Sequence, residues 1–133
     1  MFKEDYVPTE KDVLQTRLET LGVQEHEFPV GEKNVLKIVD VGGSKSQRFK
    51  WLQQFIHCNA VIFIVAMNGY CQYMAESPTT LRIHDSMALF DVIINNQYLK
   101  HVAVILFLNK RDLFKRMLKV HPITIAYPDY SGK

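Results

Sequence analysis

Ala60-Val61-Ile62-Phe63-Ile64-Val65-Ala66-Met67 is the longest apolar run in the chain, and its reading decides the fold class. It is far shorter than the ~18 residues a membrane-spanning helix requires. A short, continuous apolar run rich in β-branched residues is the pattern of a strand covered on both faces, so residues 60–67 are expected to form a central strand. Residues 102–108 carry the same pattern and are expected to form a second buried strand. Between the two, Ser77-Pro78 reads as an N-cap followed by proline in the first turn. Ile83, Met87, Phe90 and Ile94 then form one helical stripe running to Asn95 or Asn96. Strand, helix and strand in this order imply an α/β architecture.

Outward from this unit the alternation continues. Residues 24–30 mix polar and apolar side chains, and Pro29 cannot donate to a ladder, so this segment is expected at a sheet edge. Gly31-Glu32-Lys33-Asn34 makes a hairpin turn, and residues 35–39 form the next strand, ending at Asp40-Val41-Gly42-Gly43. Phe49, Leu52, Phe55 and Ile56 recur at helical spacing, predicting an amphipathic helix over residues 46–56. After residues 102–108, Asn109-Lys110-Arg111-Asp112 ends the strand. A short basic helix is expected around residues 113–120, and the tail from His121 is turn-rich.

With 133 residues, 47% of them apolar and 11% aromatic, the chain has material for one modest core, and its length suggests a single domain. A net charge of +2 bears no bulk signature of a nucleic-acid or polyanion binder. Lys110, Arg111, Lys115, Arg116 and Lys119 read as a solvated helix face. Cys58 and Cys71 lack the density of a disulfide scaffold, and with His57 they have no zinc spacing, so a reducing intracellular setting is the expectation. The sequence begins Met1-Phe2-Lys3-Glu4-Asp5 and ends Ser131-Gly132-Lys133, with no signal peptide, myristoylation glycine or prenylation box. Membrane attachment is therefore expected only through partners or missing segments.

Ligands of open α/β sheets collect beyond the carboxyl ends of parallel strands, and two motifs sit at such ends, which would place them on one face. Asp40 can hold Mg²⁺ through water, and the amides of Gly42 and Gly43 can donate to a phosphate oxygen. Asp112 can accept two hydrogen bonds from one edge of guanine, a pattern adenine does not offer. Asn109 can bind another base edge and steady the loop, while the alkyl stem of Lys110 can lie along the ring. Each residue also has a plainer role: Asp112 as the cap of a helix from Leu113, Asn109 as a turn closer, and Gly42-Gly43 as an ordinary loop. Singly, the plainer roles are favoured; in this order and spacing the set points to a GTPase.

The motifs Asp12-Val13-Leu14-Gln15-Thr16-Arg17, Asp40-Val41-Gly42-Gly43, Lys50-Trp51, Leu89-Phe90-Asp91 and Phe107-Leu108-Asn109-Lys110-Arg111-Asp112-Leu113-Phe114 resemble successive signatures of heterotrimeric G-protein α subunits. Tyr127-Pro128-Asp129-Tyr130 extends the resemblance nearly to the end. It implies an incomplete P-loop GTPase (Ras-like) domain, with a mostly parallel sheet, an antiparallel edge strand and the central P-loop strand missing. Residues 1–16 would be a linker from the helical domain, 17–58 the switch I and switch II region, and 59–133 the guanine-recognition part. By resemblance, Arg17 stabilises charge on the transferring phosphoryl group, Asp40 is the water-mediated Mg²⁺ ligand, and Gly43 senses the γ-phosphate. Asn109, Lys110 and Asp112 would bind guanine, and Lys45, Trp51 and Phe55 would meet partners.

The sequence departs from the family pattern at several points. Leu21 is read at the position of the Mg²⁺-ligating threonine, with Thr20 as its neighbour. Ser44 stands where the family has the glutamine that orients water, and its hydroxyl is too short for that position. Lys45 replaces an arginine, retaining charge without the planar fork. None of the glycines at 22, 31, 42, 43, 69 and 132 belongs to a Gly-x-x-x-x-Gly-Lys-Ser/Thr loop. With that strand missing, its two neighbours are expected either to pair directly or to need partner sequence.

Two functions are therefore expected. One is a guanine-nucleotide-binding signal transducer, a GTP/GDP switch with Mg²⁺ acting downstream of G-protein-coupled receptors. Its partners would be a βγ dimer and an effector, at the cytoplasmic face of the plasma membrane, with weak or absent GTPase activity in this chain alone. The other is a nucleotide-dead relative that docks βγ or effectors through the switch II helix.

Overall fold

The computed structural model describes residues 6–16 and 20–132, which fall into two compact units divided between Gln54 and Phe55. In the first unit, Thr9 starts helix α1 (Glu10–Gln15) through a capping box. Its hydroxyl accepts from the Asp12 amide, and the Asp12 carboxylate accepts from the Thr9 amide. Strands β1 (Val23–Val30) and β2 (Asn34–Val41) then pair antiparallel, with Val30 opposite Asn34 and Val23 opposite Val41. The turn between them needs a left-handed residue, which Gly31 supplies at φ 68°. Pro29 lies within β1, in register with Val35, in a sheet where both strands are edges.

The helix expected over residues 46–56 is instead a 3₁₀ stretch, Lys45–Lys50, followed by the short α2 (Trp51–Phe55). The tighter three-residue turn rotates Phe49 off the apolar stripe, and Phe49 is 74% exposed.

In the second unit, β3 (Ala60–Ala66) and β4 (Ala103–Asn109) pair in parallel from Ala60–Ala103 to Ala66–Asn109. Their crossover contains α3 (Arg82–Ile94), whose Phe90 ring lies 5.3 Å from that of Phe63. Val61, Phe63 and Val65 are buried on one face. The expectation of a central strand covered on both faces does not hold: Ile62 and Ile64, on the other face, are 58% and 62% exposed. Ile105 and Phe107 of β4, in register with them, are exposed as well. Among the described residues β1 and β2 form one two-stranded sheet and β3 and β4 another.

The helix read from Ser77-Pro78 begins later, at Arg82. The Ser77 hydroxyl bonds that of Thr80, the Thr80 amide donates to the Ser77 carbonyl, and Leu81 forms a bridge with Tyr73. Residues 73–81 thus close a small turn before α3. The last helix, α4 (Arg111–Met117), starts two residues earlier than expected and stops short of Val120. A core of Tyr70, Leu81 and Ala126, packed against Phe114 and Ile123, ties the tail to this unit. The Tyr70 hydroxyl donates to the His121 carbonyl at 2.6 Å, and its ring meets Phe114 edge-on. Burial first, then the neighbouring Cys71, raises the Tyr70 pKa.

Candidate functional site

The end of β2 forms the first centre. Asp40 is exposed, and Thr20 donates its hydroxyl to the Asp40 carboxylate at 3.1 Å. Leu21 is 70% exposed, and its side chain has no oxygen to offer. The Thr20–Asp40 pair gives two oxygens suited to Mg²⁺, which takes one or two protein oxygens and completes its shell with water and phosphate. Among the described residues no three His, Cys, Asp or Glu side chains form a metal cluster.

Beside this pair, Gly42 is buried and Gly43 exposed. A Cβ on Gly42 would stand 2.5 Å from the Thr20 carbonyl and 2.9 Å from Gln47 Cγ, so only glycine lets these groups close over it. Around Gly43 there is open space. The Gly42 amide donates to Gly22, and its carbonyl accepts from Trp51 Nε1 at 2.8 Å. The Gly43 carbonyl accepts from Arg48 Nε at 3.4 Å. Both glycine carbonyls are thus held by side chains from the segment that follows. Ser44, at the position expected to hold glutamine, bonds the Ser46 hydroxyl at 3.2 Å. Lys45 is exposed, whereas Trp51 and Phe55 are partly buried. Arg17 lies outside the described residues.

The end of β4 forms a second centre. Asn109 is the last residue of the strand, and its side-chain oxygen accepts from the Lys110 amide at 2.7 Å. That bond accompanies a left-handed backbone at Lys110, φ 61° and ψ 37°, and Lys110 is the N-cap of α4. Asp112 is therefore not the cap. It lies in the first turn, where the helix dipole favours an acid, and pairs with Arg116 at 3.6 Å on the surface. Sequence reading located both strand ends but missed the left-handed lysine, which no residue preference signals, since that backbone is ordinarily taken by Gly, Asn or Asp.

The comparisons with known proteins bear on this arrangement. Residues 1–133 match the family model described as G-protein alpha subunit. The chain belongs to the G-protein alpha subunit family. It is 46% identical over 130 residues to the guanine nucleotide-binding protein G(o) subunit alpha of Lymnaea stagnalis, covering 98% of this chain and 36% of that relative. It is 47% identical over 128 residues to the G(o) subunit alpha of Caenorhabditis elegans, covering 96% and 36%. It is 48% identical over 130 residues to the alpha-4 subunit of Dictyostelium discoideum, covering 98% and 37%. This G-protein alpha subunit family chain thus spans just over a third of the length of these curated relatives. Its parallel pair, antiparallel pair and lack of a phosphate-loop strand among the described residues match a partial fold of that family. Among the described residues no helix is long and apolar enough to cross a membrane.

Proposed function

We propose that this chain is a docking module of the G-protein alpha subunit type, presenting residues 45–52 to a βγ dimer or an effector. The observation that carries this reading is the double tether of the glycine loop. Trp51 and Arg48 bond the Gly42 and Gly43 carbonyls, so bonds within the chain itself hold the presenting segment in place. A pre-formed segment loses less entropy on association than a flexible one. Capture of purified βγ by the chain, with guanine nucleotide added and then stripped, tests the reading. Equal capture in both conditions is expected; no capture would refute it.

A second reading, a guanine-nucleotide switch with Mg²⁺, is favoured by the Thr20–Asp40 oxygen pair. In it, Thr20 takes the ligand role for which Leu21 is unfit, Asp40 acts through water, and Gly43 presents its amide to phosphate. Asn109, Lys110 and Asp112 bind guanine, and by family resemblance Arg17 stabilises charge on the transferring phosphoryl group while Ser44 stands at the impaired water-orienting position. A bound Mg²⁺ would supply charge neutralisation at phosphate oxygens. Ser44 is held by Ser46 and is too short to orient water, so hydrolysis is slow in this reading. Receptor coupling and a place at the inner face of the plasma membrane would follow through partners. Saturable, Mg²⁺-dependent binding of a fluorescent guanine nucleotide, not displaced by ATP, would support it.

A further inference from the structure

We propose that the outward face of α4, with the turn that follows it, is a contact surface for anionic membrane lipids. Lys110, Arg111, Lys115, Arg116 and Lys119 put five cations into residues 110–119, against the single acid Asp112. The whole chain has a net charge of only +2, so positive charge is concentrated in this one segment. Clusters of roughly four to eight lysines and arginines on an amphipathic helix are what bind the headgroups of anionic lipids. The fold turns the cluster outward. Phe114 meets Tyr70 edge-on, and Phe114 and Met117 pack against the core of Tyr70, Leu81 and Ala126, which fixes the inward side of the helix. Arg111 and Lys115, four residues apart, share another side. The Leu118 amide donates to the Phe114 carbonyl and the Lys119 amide to that of Arg116, so the winding continues and brings Lys119 into the same row. Arg111, Lys115, Arg116 and Lys119 are all exposed.

Charge and shape together select the occupant. Asp112 meets Arg116 at 3.6 Å in a pair exposed on both sides, so it offsets one cation and leaves the excess in place. Leu118 and Val120, 39% and 75% exposed, flank Lys119 and can enter the headgroup layer beside its ammonium. Nucleic acid is the weaker candidate, because single strands are held by aromatic stacking and the one aromatic ring of residues 110–120, Phe114, is turned to Tyr70. An acidic protein is weaker too. Protein interfaces draw their energy from anchors seated in desolvated pockets, and the hollow beside Leu113, Met117 and Val120 is open to solvent. The surface lies wholly in the second unit and is independent of the docking segment.

The test is co-sedimentation of the full chain with vesicles of phosphatidylcholine alone and of phosphatidylcholine mixed with phosphatidylserine, at low and high salt. Two double variants accompany the parent: Lys115→Gln with Lys119→Gln, and Lys115→Arg with Lys119→Arg. Neither touches Asn109, Lys110 or Asp112, and far-UV circular dichroism confirms that each is folded. The expected result is binding to the phosphatidylserine vesicles only, lost at high salt, weakened about tenfold or more by the glutamine pair and kept by the arginine pair. No binding by the parent, equal binding to both vesicle types, or a glutamine pair that binds like the parent overturns the proposal. Capture of the parent by polyglutamate or by a single-stranded oligonucleotide, without vesicle binding, would assign the basic face to an acidic protein or to nucleic acid and overturn the lipid surface. Each of these outcomes leaves the docking and switch readings as they stand.

Discussion

The indole Nε1 of Trp51 donates to the carbonyl of Gly42 at 2.8 Å, so the side chain of the presenting segment fixes a peptide plane of the strand-end loop. In a trans peptide the C=O and the following N–H point in opposite directions. Trp51 therefore sets the direction of the Gly43 amide, on the exposed side of the loop. Trp51→Phe keeps an aromatic side chain but removes the donor and part of the indole's bulk, and a loss of at least about 1 kcal/mol is expected in urea denaturation followed by circular dichroism.

The two glycines should respond differently to alanine. At Gly42 the new Cβ would meet the Thr20 backbone carbonyl at 2.5 Å, which cannot swing aside. Gly42→Ala is expected to cost roughly 1–3 kcal/mol, as overpacking does. Gly43 faces open space, and Gly43→Ala is expected to stay within about 0.5 kcal/mol. Thermal unfolding of the pair checks the contrast; equal losses would show that Thr20 does not close over Gly42.

Tyr70 links the tail to the core through the His121 carbonyl, and its pKa is raised by burial and by Cys71. A raised phenol pKa means that folding favours the neutral form. The stabilisation is fully present below the unfolded-state value of about 10 and is lost as pH rises through the folded value. Alkaline unfolding should thus begin above about pH 10. In Tyr70→Phe that alkaline contribution disappears, and stability at neutral pH falls by about 1–2 kcal/mol because the carbonyl loses its donor.

Lys110 holds a left-handed backbone that costs a non-glycine residue about 1–2 kcal/mol. Lys110→Gly relieves this, and a gain of roughly 0.5–1 kcal/mol in thermal unfolding is expected after the larger entropy of unfolded glycine is offset. If the guanine-binding reading is right, the same variant loses guanine-nucleotide affinity, because the alkyl stem is gone. Stability and binding would then move in opposite directions.

Much of the fold is legible in the residues because it is written locally. The β-branched runs located β3 and β4, Gly31 located the hairpin turn, and Asp40 and Asn109 fell at strand ends as read. The misreadings have non-local causes. Ser77-Pro78 has the composition of a helix start, but Leu81 bridges to Tyr73, a pairing no local pattern encodes. Phe49 fits an α-helical stripe and leaves it because the backbone there is 3₁₀. An apolar strand reads the same whether one face or two are covered, so the exposure of Ile62 and Ile64 could not be read from the run itself. At the candidate site, Leu21 has no side-chain oxygen to offer, and only the structure shows that the hydroxyl of its neighbour Thr20 reaches the Asp40 carboxylate.

The uncovered row of Ile62, Ile64, Ile105 and Phe107 bears on the fate of this chain in a cell. Exposed apolar strands are what chaperones hold and quality-control proteases sample, so any copy whose row stays bare is subject to triage. Cellular abundance would then be set by how quickly that face is covered, and whatever buries it would act as a gate on half-life.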